Sequence, residues 1–248
     1  MTDNVPRLRM FAGPNGSGKS TLKGYLPKKL LGIYLNPDEI EQEIRKLGCL
    51  DLSQYGVTVD DGDVVSFFRE SNFLKSANLV EKSQKLYFQD NRLIFGEVEV
   101  NSYFASVAAD FIRQILLRNQ VSFTIETVMS HPSKVDLLRQ AQNSGFRTYL
   151  YYIATDDPAI NISRVRNRVI MGGHSVPEDL IVKRYYRSLD LLMDAIRYTN
   201  RAYVFDNSGQ QTDHTWLAEI TDGKNLELKS STIPMWFKRA VLDKATPI

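Results

Sequence analysis

Eight residues near the start of the chain, Gly13-Pro14-Asn15-Gly16-Ser17-Gly18-Lys19-Ser20, follow the spacing G-x-x-x-x-G-K-[ST]. Glycines at these places let the backbone curl so that several N–H groups face one anion. The lysine then supplies a cation for the β- and γ-phosphates, and the following hydroxyl an oxygen for Mg²⁺. The pattern therefore predicts a triphosphate cradle. Gly13, Asn15, Gly16, Ser17, Gly18, Lys19, Ser20 and Thr21 would surround ATP, with Ser20 on the metal. A glycine turn with a surface lysine is the plainer alternative. It gives no reason for the strand-like Arg7–Ala12 before the loop or the helix-like 19–29 after it. Kinases, motors, GTPases and transporter ATPases share such a loop, so the loop alone does not choose the reaction.

Other residues narrow it. A GTPase would carry N-K-x-D and a transporter ATPase L-S-G-G-Q, and neither occurs. No apolar strand ends in the aspartate that usually accompanies the loop. Small-molecule kinases often do without it, taking a base from after the second strand and arginines from a lid. Asp38 stands after the second predicted strand, where a carboxylate can accept a hydroxyl proton. Its plainer role is to favour a helix N-terminus. Between 161 and 187 lie Arg164, Arg166, Arg168, His174, Lys183, Arg184 and Arg187, with Gly172-Gly173 between two helical stretches. That is lid chemistry: a break plus guanidinium groups for a transferring phosphoryl. A solvated basic face is the alternative. Glu126 and Thr127 end the third long strand, where they would meet an acceptor or order a metal-bound water. A local threonine hydrogen bond explains Thr127 as well. Asp206-Asn207-Ser208 follows the last parallel strand and suits either a base-binding loop or a turn.

The elements that must position these groups alternate. Strands are predicted at 7–12, 32–35, 121–125, 147–153 and 202–205. Helices are predicted at 36–47, 133–144, 156–170 and 178–200, with Asn36-Pro37-Asp38-Glu39 and Ser133 as starts. Phe104, Val107, Ala108, Phe111, Ile112, Ile115 and Leu116 make one apolar helix face. Residues 216–228 read as a hairpin turning at Asp222-Gly223, and Pro234 opens a terminal helix. Residues 50–101 read as a helical insertion, with 64–85 as a helix or helical hairpin. This gives an α/β fold: a three-layer phosphate-loop sandwich with a mostly parallel sheet covered on both faces, formed by one domain over 1–248.

Composition fits a globular chain: 248 residues, 43% apolar, and 31 basic against 29 acidic residues for a net charge of +2. That balance argues against nucleic acid or an anionic membrane as partner. One cysteine, Cys49, cannot form an internal disulfide, which fits a reducing compartment. No apolar run approaches a membrane span of about 20 residues, and the first ten residues lack a signal-peptide core. The expected location is the cytoplasm.

Four blocks, taken together and in order, resemble the zeta-toxin-like P-loop kinases. They are Phe11–Thr21, Asn36-Pro37-Asp38, Phe123-Thr124-Ile125-Glu126-Thr127, and Arg164-Val165 through Arg168-Val169 to Gly172-Gly173-His174-Ser175-Val176-Pro177. The last block is characteristic of one branch. The resemblance implies an ATP- and Mg²⁺-dependent kinase acting on a hydroxyl of a nucleotide sugar such as UDP-N-acetylglucosamine. It implies Asp38 as base, Glu126, Thr127 and His174 near the acceptor, and Arg164 or Arg168 with Arg184 on the γ-phosphate. It also implies an antitoxin protein as a possible partner. The toxin-type lid carries an arginine near the place of His174, and 50–101 has no counterpart in the pattern. Rival expectations are a kinase for an antibiotic, a nucleotide or a nucleic-acid end, a non-catalytic ATP-dependent interaction protein, and a remodelling ATPase.

Overall fold

The computed structural model describes residues 5–173, 175–209 and 214–245. In chain order the elements are β1 (Arg7–Ala12), α1 (Lys19–Gly24), α2 (Lys28–Leu31), β2 (Ile33–Leu35), α3 (Pro37–Leu47), β3 (Cys49–Asp51), α4 (Asp61–Glu70), α5 (Asn72–Ser76) and α6 (Val80–Ser83). Then come β4 (Tyr87–Gln89), β5 (Arg92–Ile94), α7 (Ser102–Arg118), β6 (Phe123–Thr127), α8 (Ser133–Asn143), β7 (Arg147–Ala154) and α9 (Pro158–Ile170). The chain closes with α10 (Glu178–Asp190), α11 (Leu192–Arg197), β8 (Arg201–Asp206), β9 (Thr215–Thr221), β10 (Asn225–Leu228) and α12 (Met235–Ala240). They fall into two compact units, one of Met1–Gly32 with Ser122–Ile248 and one of Ile33–Val121.

The first unit holds six strands in the order β10-β9-β8-β7-β1-β6. β6, β1, β7 and β8 run parallel, and β9 and β10 join by antiparallel pairing. The strand that leads into the phosphate loop is thus flanked on both sides, with Phe11 opposite Glu126 on β6 and Tyr151 on β7. Apolar residues fill these strands because both neighbours and a helical layer exclude water. Phe11, Leu22 and Ile153 form a buried cluster with Leu26, Leu31, Tyr151 and Phe205 against it, which seats α1 on the sheet. The expected cover on both faces is incomplete toward β10. Tyr149, Tyr151 and Tyr203 are only half-buried and Trp216 is exposed. Consecutive strands β8, β9 and β10 pair antiparallel, so their connections supply no crossover helix to lie over them.

Several boundaries differ from expectation for local reasons. The helix after the phosphate loop is not continuous to 29: Pro27 intervenes and α2 starts after it. The stretch 178–200 forms two helices that meet at Leu191. Ser133 does not cap α8, since Pro132 stands at that place and the Ser133 hydroxyl lies 3.0 Å from His131 Nδ1 instead. The hairpin turn at Asp222-Gly223 is as read, with both residues at positive φ.

The second unit is larger than the expected 50–101 segment and is not purely helical. It contains a three-stranded antiparallel sheet in the order β3-β5-β4. The β4–β5 turn is Asp90-Asn91, both at positive φ, as a two-residue hairpin requires. The expected helix over 64–85 is three short ones. Ser71 turns out of the helix at ψ 115° and its Oγ accepts from Leu74 N–H at 3.3 Å, starting α5 anew. The core of this unit is aromatic. Phe95 meets Phe68 and Phe104 edge-on, with centroids 6.3 and 5.8 Å apart, and all three are buried. Phe104→Ala removes a ring that is fully enclosed, so it is expected to cost about 3–5 kcal/mol of stability, read by urea unfolding. A loss under about 1 kcal/mol would show that the ring is not part of a packed core.

Candidate nucleotide site

The phosphate loop leaves β1 at Gly13 and enters α1 at Lys19. Gly13, Gly16 and Gly18 have φ of 142°, 71° and 100°, values that favour glycine over other residues. Each is also a place of close approach. A Cβ on Gly13 would overlap the Ile153 carbonyl, one on Gly16 would sit 2.8 Å from Asn161 O, and one on Gly18 would overlap the Asn207 amide nitrogen. The loop is thus shaped by the end of β7, by α9 and by the segment after β8.

Lys19 is buried, at 8% exposure. Its Nζ donates to Gly13 O at 3.0 Å and Pro14 O at 2.9 Å, so the cation lies over the curl of the loop. Ser20 Oγ donates to both oxygens of Glu126, at 3.0 and 3.2 Å. Glu126 stands near the end of β6, beside the loop strand, the strand-end position expected for it. The run Phe123-Thr124-Ile125-Glu126 is the signal that marks it: buried strand residues ending in a carboxylate. A serine hydroxyl and a carboxylate are hard oxygen donors of the kind Mg²⁺ takes, along with water and phosphate oxygens.

The remaining expected residues sort as follows. Thr127 Oγ1 accepts from Met129 N–H at 3.0 Å, the local role read as its alternative. Arg164 projects from α9 and its Nη2 donates to Gly209 O at 2.9 Å. Burial lowers its pKa below the ordinary arginine value, and the Asp206 carboxylate works against that shift. Arg168 ends α9 exposed, and Arg184 on α10 is half-buried. Between them the α9 terminus closes with Gly172 at φ 89°, Gly172 N–H on Val169 O and Gly173 N–H on Arg168 O, both at 2.9 Å. Arg166 bridges the two helices to Glu178 at 2.5 Å. His174 lies outside the described residues. Asp38 belongs to the second unit, exposed on the first turn of α3, where Asn36 Oδ1 accepts its backbone N–H at 3.0 Å. Asn207, expected in a base-binding loop or a turn, lies against Gly18, as does His214, which was not anticipated; the His214 ring meets that of Tyr25 edge-on at 5.9 Å.

Among the described residues, nine buried side-chain polar atoms lack a partner, and six of them are on residues that form or pack around this loop. They are Asn15 Oδ1, Ser17 Oγ, Arg164 Nη1, Asn207 Oδ1 and both ring nitrogens of His214. A buried polar atom without a hydrogen bond costs about 1–3 kcal/mol. Of these, Ser17 Oγ, Arg164 Nη1 and a His214 ring N–H can donate to an anion, whereas Asn15 Oδ1 and Asn207 Oδ1 only accept and call for a donor such as water or a hydroxyl. No helix of the described residues is long and apolar enough to cross a membrane.

No protein-family profile matches the chain. An uncharacterised protein of Haemophilus influenzae is 32% identical over 69 residues, 28% of this chain and 49% of that protein. Among solved structures, the AvrRxo1-ORF1:AvrRxo1-ORF2 complex with sulphate ions superimposes over 92% of this chain and 62% of that one, at 13% identity and a TM-score of 0.54. The native form of that complex superimposes over 92% and 62%, at 14% identity and a TM-score of 0.50. The chain spans about half the length of its curated relative and less than two thirds of the structural one. At these identities the likeness is one of fold, and it agrees with the α/β architecture read from the motifs.

Proposed function

We propose that the protein is an ATP- and Mg²⁺-dependent kinase that transfers the γ-phosphoryl group to a hydroxyl of a small molecule, a nucleotide sugar such as UDP-N-acetylglucosamine being the first acceptor to test. The observation that carries this reading is the loop itself: Lys19 buried over a glycine curl, Ser20 paired with Glu126, and unpaired donors such as Ser17 Oγ in the curl. The acceptor rests on the resemblance of the four sequence blocks.

In this reading the loop amides and Lys19 hold the β- and γ-phosphates. Ser20 and Glu126 would hold the metal, the glutamate through its water. Bound Mg²⁺ supplies positive charge against the phosphate oxygens. Asp38 takes the proton of the acceptor hydroxyl as its oxygen forms the new bond to phosphorus, and the bond to the ADP oxygen breaks. Arg164, with Arg168 and Arg184, offsets the charge that spreads over the transferring group. Orientation and electrostatics supply most of the acceleration. A protein partner, an antitoxin in the family the sequence resembles, accords with the two-protein complex in which the structural relative was solved.

The test is acceptor-dependent ADP release across a panel of nucleotide sugars, aminoglycosides, nucleosides and nucleic-acid ends, followed by product mass. A nucleotide sugar is expected to gain the mass of one phosphoryl group. Release of ADP with no acceptor modified would remove the kinase reading. Phosphorylation confined to another acceptor would remove the nucleotide sugar alone.

A further inference from the structure

We propose that Asn161 and Asn207 are positioning residues that hold the phosphate loop in its anion-binding shape by tying two of its carbonyls outward. The proposal rests on the loop's role above but concerns residues to which no part of that role was assigned.

Both asparagines have no exposed surface. They come from different elements, Asn161 from the first turn of α9 and Asn207 from the residue after β8. Asn161 Nδ2 donates to Asn15 O at 2.6 Å, and Asn207 Nδ2 donates to Ser17 O at 2.8 Å. The Thr155 hydroxyl donates to Asn161 Oδ1, which fixes which end of that amide faces the loop. In a trans peptide the carbonyl and the next N–H point in opposite directions. Drawing the Asn15 carbonyl toward α9 therefore turns the Gly16 N–H away from it. Drawing the Ser17 carbonyl toward Asn207 does the same for Gly18. Among the described residues neither N–H has a hydrogen-bond partner.

The same two places are where the loop is pressed from outside. Gly16 lies against Asn161 O and Val165, and Gly18 against Asn207 and His214. The two bracing elements are also tied to each other. Arg164 Nη2 reaches Gly209 O at 2.9 Å, and Asp156 N–H reaches Ser208 Oγ at 2.8 Å. A leucine at either asparagine would fill similar space without needing partners. The buried amides instead spend their donors on consecutive odd carbonyls of one loop. Donors fixed in advance toward an anion bind it without reorganising.

The variants Asn161→Leu and Asn207→Leu keep volume and remove the donor; Asn161→Asp and Asn207→Asp keep shape and serve if a leucine variant fails to fold. Two measurements apply to the full chain. The ¹⁵N order parameters of the nucleotide-free protein should fall at Gly16 for the first site and at Gly18 for the second, from about 0.85 toward 0.6 or below. Affinity for inorganic tripolyphosphate, by calorimetry, should weaken about tenfold or more. Wild-type order at both glycines together with wild-type affinity in the folded variants would reduce the asparagines to packing and overturn the proposal. If the unmodified chain does not bind tripolyphosphate, the phosphate-loop reading fails, and the order parameters alone still decide whether the asparagines shape the loop.

Discussion

Lys19→Met is expected to lower kcat/KM for phosphoryl transfer by on the order of a thousandfold while the chain stays folded. The substitution keeps an unbranched stem and removes the charge. Lys19 lies at the end of the loop with its Nζ on Gly13 O and Pro14 O, 3.0 and 2.9 Å away. In the proposed nucleotide complex that ammonium would exchange neutral carbonyls for anionic phosphate oxygens, setting a cation against opposite charge in a buried place where water screens it little. Arg164, Arg168 and Arg184 do not replace it, because they stand on α9 and α10 while Lys19 Nζ lies over the curl of the loop itself. Steady-state kinetics with ATP and the acceptor found in the panel gives the number, and thermal unfolding checks the fold. Turnover within a few-fold of wild type would mean that the loop does not hold the reacting phosphates.

The reach of the sequence differs by residue in a way that follows from range. The phosphate loop was legible because its chemistry is local: glycine conformation, one cation and one hydroxyl sit within eight positions, and the structure places Gly13, Gly16 and Gly18 at positive φ as the motif requires. The α3 start was legible for the same reason, since Asn36, Pro37 and Asp38 act on one another within one turn. The parallel strand β1 was legible because its residues are buried on both faces, whereas β7 and β8 alternate buried with half-buried residues over much of their length. The second unit was harder. Its strands are three residues long, too short for an alternation to register, and the one available signal, Asp90-Asn91 between Tyr87–Gln89 and Arg92–Ile94, lay inside a stretch read as helical. The pairing of Ser20 with Glu126 spans 106 positions and that of Asn207 with Ser17 spans 190. No spacing rule connects such residues; the sheet order does, by placing β6 beside β1 and the end of β8 near the loop's far side. Thr127 shows the converse, a residue at a suggestive strand end whose hydroxyl serves the turn that follows.

Asp38→Asn should separate the two roles that position alone leaves open for this residue. As the base, Asp38 accepts the acceptor's proton, and an amide of the same shape cannot. The expected loss in kcat is about a hundred- to ten-thousand-fold, with ATP affinity retained. As a helix-terminal charge only, it favours the N-terminal end of α3, and its neutralisation would cost about 0.3–1 kcal/mol of stability with turnover unchanged. The substitution is clean because the local fold does not lean on the carboxylate. The α3 cap is the Asn36 side chain receiving the Asp38 backbone N–H, and Pro37 sets the first helical φ, and neither is altered. Equilibrium binding of ATP and urea unfolding, run beside the kinetics, tell the roles apart. A kcat that collapses at constant affinity and nearly constant stability assigns the proton to Asp38. A kcat that holds while stability slips leaves Asp38 a helix-terminal charge, and the acceptor hydroxyl then needs no help from this carboxylate to attack.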